Sequence, residues 1–469
     1  MDCLEDLGVC VNAGQAPQLA RQVAIIGGGY AGIAAAVKLA ELGVISTVFE
    51  AGKSLGGRAR RIEYRGHNLD NGQHILSGAY SELLRMMALV KVPDSAYQRV
   101  PLTLMFGMPP EFLMRAANLP KPLHMAIALL TARGLSWRER FAAIRLMQAL
   151  KACKFKLDTK LTVADLLKMH HQPPKLIRYL WQPLTISAMN TPVETASAQV
   201  FANVLRDALD GSRAASDLIL PKVDLSALFP EPAAVWLAAH GSQVRLGERV
   251  SAIEKNSAGF VLSYGQFQET FAQVIMAIAP HQLTALQSRD SGIQQLISAS
   301  TGHFAYEPIT TIYLAFPPSS PSLYAPMLGR ISGTVQWFFD RNALMDRPGL
   351  NFDRNPDLHS DLHPELHIYA GVVSASGPHE HWPLDELAAV ALRELREWLP
   401  GLAEPLWHKV VHEKRATFAC TPGLKRPSTE TAVPGLTLAG DYVACDYPAT
   451  LEAAVRNGCR AAEITFKQL

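Results

Sequence analysis

The chain has 469 residues with 44 basic and 42 acidic side chains, and its net charge of +2 excludes a surface built as a whole for nucleic acid. Charged residues make up 18%, below the ~25% of ordinary soluble domains, and mean hydropathy is +0.07; yet no run of eighteen uncharged apolar residues occurs, so no spanning helix is expected. This length predicts two or more domains around a large core, and six cysteines without a C-x-x-C pair (Cys3, Cys10, Cys153, Cys420, Cys445, Cys459) exclude a disulfide framework or zinc site and favour a reduced, cytoplasmic setting.

Met1 to Gln22 carries Asp2, Glu5 and Asp6 and lacks the basic and apolar regions of a signal peptide, so residues 1–20 read as an N-terminal extension. Val23-Ala24-Ile25-Ile26 then predicts a buried parallel strand, and Ala31 to Leu42, closed by Gly43, predicts a helix packed on it. Between them stands Gly27-Gly28-Gly29-Tyr30-Ala31-Gly32. Gly27 permits the tight turn, Gly29 a close approach of pyrophosphate to backbone, and Gly32 contact between helix and strand. A second apolar run, Thr47-Val48-Phe49, ends at Glu50, whose carboxylate is placed to accept ribose hydroxyls. These pieces together make a dinucleotide-binding fingerprint. Gly56-Gly57-Arg58 follows, offering bare backbone and a guanidinium suited to phosphate oxygens.

Between Arg115 and Lys160 basic residues outnumber acids ten to two. Ser136 and Glu139 form a capping-box pattern, and Trp137, Phe141, Ile144, Met147 and Leu150 recur at helical spacing. This predicts a basic amphipathic helix, either a membrane-surface anchor within residues 101–160 or a surface helix facing its own core. His170 and His171 diverge on a helix, and Pro364 interrupts the His359, His363, His367 spacing, so no metal site is expected. Trp181, Phe201, Leu205 and Trp236 line an apolar tunnel or belong to the core. Ser242 to Val250 predicts two short strands, Val274 to Ala279 another ending at Pro280, and Asn351 to Pro364 a surface loop. Finally, Leu436 to Ala439 predicts a strand before Gly440-Asp441, and Pro448-Ala449-Thr450-Leu451-Glu452-Ala453-Ala454 opens a last helix.

The fingerprint with its distal acid, Gly56-Gly57-Arg58, Gly440-Asp441 and the Thr450-Leu451-Glu452 helix start together resemble the flavin amine oxidase and phytoene desaturase superfamily. Asp70-Asn71-Gly72-Gln73-His74, Arg178 to Leu184, Ala188-Met189-Asn190-Thr191 and Ala439 to Tyr442 resemble its squalene-associated branch, the hydroxysqualene dehydroxylases. The resemblance implies a mixed α/β chain: a Rossmann-like FAD-binding domain from segments 21–89, 233–289 and 410–469, with a substrate domain from 90–232 and 290–409. FAD is expected to be non-covalent, since Val411 to Lys414 has no cysteine. By resemblance, its contacts are Gly27 to Gly32 (including Gly28, Tyr30 and Ala31), Glu50, Ala51, Gly57, Arg58, Gly72, Gln73, His74, the Val250 backbone, Gly440, Asp441, Thr450, Leu451 and Ala454.

The same resemblance implies hydride transfer from reduced FAD onto hydroxysqualene, with squalene and water as products, in bacterial hopanoid synthesis. His74 is the first candidate for a general acid, with Asp446 and Tyr447 behind it; alternatively His74 orients the flavin. Asp446 departs from the small or hydroxyl residue usual in that branch. Partners on this reading are a long isoprenoid, an external electron donor and the inner-membrane surface. Alternatives are a carotenoid desaturase or isomerase, and a prenyl-binding module of the same fold without flavin.

Overall fold

In the computed structural model the described residues are 23–302, 304–344 and 366–469. The N-terminal extension, Cys3, Cys10, the loop expected at Asn351 to Pro364, His359 and His363 lie outside them. His367 lies inside: it is buried, with Nε2 3.1 Å from Asp340 Oδ1.

Three distant parts of the chain build one parallel sheet. Its strands are β1 (Val23–Ile26), β2 (Ser46–Glu50), β3 (Gln243–Leu246), β4 (Gln273–Met276) and β5 (Leu436–Leu438), in the order β3-β2-β1-β4-β5 with every neighbour parallel. β1 and β4 are buried along their whole length, which explains their unbroken apolar or uncharged sequences. Helix α1 (Tyr30–Glu41) packs on this sheet beside the C-terminal helix α4 (Leu451–Lys467). The two approach closely because Gly458 carries no side chain: a Cβ there would stand 2.2 Å from the Ala31 carbonyl oxygen. Helices α2 (Ser81–Leu89) and α3 (Trp137–Ala152) lie between them in sequence.

The second large layer is a seven-stranded sheet in the order Trp407–Phe418, Tyr306–Phe316, His367–Ser374, Trp337–Asp340, Met327–Gly329, Thr103–Phe106, Phe112–Arg115. Its neighbours are antiparallel except where Met327–Gly329 meets Thr103–Phe106. Val410, where the third cofactor segment was expected to start, falls inside the first of these strands, and the chain rejoins the parallel sheet at β5. Of the two strands expected over 242–250, β3 joins the parallel sheet, whereas Val250–Asn256 opens a separate three-stranded antiparallel sheet. The strand expected to run to Ala279 stops at Met276.

The motifs that carry the branch resemblance act largely in packing. Trp181 is buried, donates from Nε1 to Gln172 Oε1 at 2.8 Å and packs edge-on against Phe201. Asn190 ends its helix in the left-handed region and locks the antiparallel sheet, donating to the Pro308 carbonyl and Thr417 Oγ1 and accepting from the Ala375 N–H. Trp236 belongs elsewhere: it stacks on His240 at 3.7 Å beside the parallel sheet, so it does not share a wall with Trp181 and Phe201.

Candidate active site

β1 ends at Ile26, and the chain reverses through Gly27 at φ +112°, where a Cβ would meet the Ala277 carbonyl oxygen at 2.5 Å. A Cβ on Gly32 would stand 1.9 Å from the Gly27 carbonyl oxygen, so α1 starts in contact with the turn. Gly29 caps α1 without a side chain, which leaves the first helical N–H groups and their partial positive charge open to an anion. Gly29 also bridges Gly56, and a Cβ on Gly57 would lie 3.2 Å from Gly29 Cα. The two glycine loops therefore form one cradle of bare backbone. Tyr30 contributes backbone alone: its phenol is buried and donates to the Leu225 carbonyl at 2.8 Å, and burial raises its pKa.

Glu50 braces the turn. Its oxygens accept the Gly28 and Gly52 N–H groups, each at 2.7 Å, and keep lone pairs for ribose hydroxyls. Ala51 follows as an exposed bend. The approach to Val250 is tied to the same place, with the Glu248 N–H donating to the Glu50 carbonyl and Gly247 to Gly52, both at 2.9 Å.

Arg58 Nη2 pairs with Asp441 Oδ1 at 2.6 Å and Nη1 donates to the Ala416 carbonyl at 2.7 Å. The pairing joins the glycine loop near the start of the chain to the Gly440-Asp441 turn. Asn71 extends the link, donating to the Arg58 carbonyl and to Glu413 Oε2. Tyr306, His281 and Arg415 wall this region, with His281 edge-on to Tyr306 and Arg415 over its ring.

Gly72, Gln73 and His74 form a strap whose Gln73 N–H points to Thr311 Oγ1 at 3.4 Å. His74 Nδ1 lies 2.6 Å from the Gly72 carbonyl, which can accept only, so Nδ1 carries the proton. Burial, the largest influence, holds the imidazole below its ordinary pKa. A neutral ring with Nδ1–H presents a lone pair at Nε2, where it can accept a hydrogen bond.

At the far side, Thr450 caps α4, its hydroxyl accepting the Ala453 N–H and its carbonyl the Ala454 N–H. The backbone N–H groups of Leu451 and Glu452 head the helix. The Glu452 side chain turns the other way: fully buried, it accepts the Glu82 and Leu83 N–H groups at 3.0 and 2.9 Å and caps α2. Tyr447 donates to Asp207 Oδ2 at 2.8 Å, and burial with this bond pushes its phenol up to about 12. Asp446 is exposed, and its backbone carbonyl, held by Asn203, is what it gives the fold. Among the described residues neither shares a hydrogen-bond partner with His74.

The profile of the family described as flavin containing amine oxidoreductase matches residues 30–464. The chain belongs to that family. A hydroxysqualene dehydroxylase of Rhodopseudomonas palustris is 27% identical over 467 residues, covering 96% of this chain and 99% of its own. A 15-cis-phytoene desaturase of Solanum lycopersicum is 24% identical over 463 residues, covering 93% of this chain and 76% of its own. Among solved structures, a redesigned putrescine oxidase superposes with a TM-score of 0.68 at 15% identity, over 96% of this chain and 99% of the other.

The flavin-containing amine oxidoreductase fold makes the chain an FAD-dependent oxidoreductase, and the residues fit that cofactor. The glycine cradle that any Cβ would fill suits a diphosphate, Glu50 an adenosine ribose, and the α4 N-terminus the electron-rich edge of a reduced flavin. One organiser of the site left no mark in the motifs. Arg426 donates to the carbonyls of Asp441, Tyr442, Val443, Cys445 and Tyr447 and lies over the Phe418 ring, so one guanidinium shapes the whole loop after Gly440.

Proposed function

We propose that this oxidoreductase reduces hydroxysqualene to squalene within bacterial hopanoid synthesis, with FAD held non-covalently. The observation that supports it is the near end-to-end likeness to a hydroxysqualene dehydroxylase, in a chain whose strap Asp70 to His74 sits beside the cofactor motifs. When bound and reduced, FAD supplies the hydride that forms the new C–H bond as the C–O bond breaks. The departing oxygen leaves as water after taking one proton. On this reading the α4 N-terminus steadies negative charge near the flavin, and His74 Nε2 accepts a hydrogen bond that orients flavin or substrate. On this reading solvent supplies that proton, the Nδ1–H of His74 being held by the Gly72 carbonyl.

We further propose that the isoprenoid is collected at an anionic membrane surface. No helix among the described residues is long and apolar enough to cross a bilayer. On α3 the Ser136 capping box forms as expected, but the apolar stripe divides. Ala142, Ala143, Leu146 and Leu150 face the core, while Trp137 and Phe141 are 61% and 52% exposed beside exposed Arg138 and Arg145. Exposed aromatics among basic residues suit an interface rich in anionic lipid.

The experiment mixes the reduced FAD protein anaerobically with hydroxysqualene and follows flavin reoxidation and squalene. Reoxidation with squalene is the expected result. Reduction of the oxidised holoprotein by phytoene, with no reaction of hydroxysqualene at the reduced one, would replace the proposal by the desaturase reading, and a protein that cannot be loaded with FAD would leave the prenyl-binding reading. Flotation with anionic vesicles tests the second proposal: Trp137→Glu with Phe141→Glu should abolish it without changing turnover of detergent-dispersed substrate, and unchanged flotation refutes it.

A further inference from the structure

Arg341 stands directly after the strand Trp337–Asp340 of the antiparallel sheet, and its side chain is 4% exposed. Its backbone is well anchored, because the Asp340 carboxylate accepts the Leu323 and Ala343 N–H groups at 3.2 Å each. From there the guanidinium crosses to the strap. Nη1 is 3.0 Å from Gln73 Oε1 and 3.4 Å from Asp70 Oδ2, and Nη2 is 3.4 Å from the Asn68 carbonyl oxygen. The same cation lies over the Tyr313 ring, 5.4 Å from its centroid, while Tyr313 Oη donates to the Asp70 carbonyl at 2.8 Å. Asp70 Oδ1 in turn accepts the Leu225 N–H at 2.8 Å. Asp70, Gln73, His74, Val223, Leu225 and Arg341 bound a small cavity, polar at the strap and apolar opposite.

A desolvated ion pair contributes little net stability, because desolvation offsets its attraction. A planar guanidinium, by contrast, fixes directions that a flexible ammonium does not. Here it grips the strap on both sides of Gly72 and takes no direct part in the glycine cradle. We propose that Arg341 is a positioning residue for the flavin: by holding Asp70 and Gln73 from the opposite sheet, it sets where Gly72 and His74 meet the cofactor and the cavity beside it. The inference rests on FAD occupying this site and not on which isoprenoid is reduced, so its test contains no substrate.

The test compares Arg341→Met, Arg341→Lys and Gln73→Leu as FAD holoproteins, reading the visible flavin spectrum and the Kd for FAD, with the thermal midpoint of each apoprotein as a measure of folding. Arg341→Met is expected to weaken FAD at least tenfold and to alter the flavin bands; because it strands the buried Asp70 carboxylate it also lowers the apoprotein midpoint, so affinity and spectrum are read well below that midpoint, where the apoprotein is folded. Arg341→Lys, which keeps the charge and loses the fork, should recover part of the affinity and little of the spectrum. If Arg341→Met does not fold, Gln73→Leu decides, since it removes one partner of the fork and should shift the same bands. A parental spectrum and affinity in Arg341→Met, or in Gln73→Leu, overturns the proposal, as does a fall in apoprotein stability with an unchanged flavin.

Discussion

Replacing Arg426 by Met removes the donor shared by the carbonyls of Asp441, Tyr442, Val443, Cys445 and Tyr447. Val443 keeps a second donor, Asn457 Nδ2 at 3.1 Å, and the half-buried Cys445 and Tyr447 are open enough for water to take over. Asp441 and Tyr442 are buried, so their carbonyls lose a charged donor without replacement. Each stranded group costs about 1–3 kcal/mol, which puts the loss at about 4 kcal/mol for the pair. That is a large share of a typical folding free energy of about 5–15 kcal/mol. The loss falls on the loop that presents Asp441 to Arg58, so cofactor retention should fall together with stability. Thermal unfolding followed by flavin fluorescence, with the FAD-to-protein ratio of the purified variant, measures both. Arg426→Lys should recover part of the loss through its remaining charge. An Arg426→Met protein with the parental midpoint and full FAD would refute the reasoning.

Gly32→Ala places a Cβ 1.9 Å from the Gly27 carbonyl oxygen, a backbone atom that cannot swing aside. It should cost about 1–3 kcal/mol and yield largely FAD-free protein, judged from the ratio of visible to ultraviolet absorbance. Glu452→Ala strands the Glu82 and Leu83 N–H groups and the Arg456 guanidinium, so the thermal midpoint should drop by the equivalent of about 2–3 kcal/mol, with Glu452→Gln intermediate; an unchanged midpoint would remove Glu452 as the cap of α2. His74, His281 and His379 are each held below the ordinary imidazole pKa, with burial the largest cause. The unfolded chain therefore takes up protons from about pH 6.5 downward that the folded chain refuses, so stability is full above that pH and declines below it. Asp70, raised by burial, opposes this trend near the carboxylate range. A thermal midpoint that stays flat or rises between pH 7.5 and 5.5 would contradict the assignment.

What the sequence disclosed was what local physics determines. β1, the glycine turn, α1 and β2 follow from an apolar run, a glycine spacing and an alanine-rich helix, all decided within about thirty residues, as a βαβ unit requires. The capping box at Ser136 and the cap at Thr450 are equally local. The partners of Arg58 were not legible, because Asp441 and Ala416 meet it only through the completed fold. Arg426 was invisible for another reason: it binds backbone carbonyls, which every residue carries. His74 was recognised by position, but its proton assignment depends on a carbonyl two residues away. The stripe of α3 left two readings open because helical spacing does not say which side meets the core; the fold turns Ala142, Ala143, Leu146 and Leu150 inward and the aromatic pair at its start outward.

The order β3-β2-β1-β4-β5 has a consequence for how this molecule comes into being. β1 pairs with β2, made soon after it, but its other neighbour β4 arrives only after the whole intervening half-chain, and β5 and α4 later still. Closing such distant pairings is slow, and an early product with β1 half-matched exposes a hydrophobic edge in the meantime. The glycine cradle at the start of α1 and the N-terminus of α4 are thus synthesised far apart in time. A ligand that touches both favours the assembled state by mass action, so FAD should act during biogenesis as a folding template as much as a reagent.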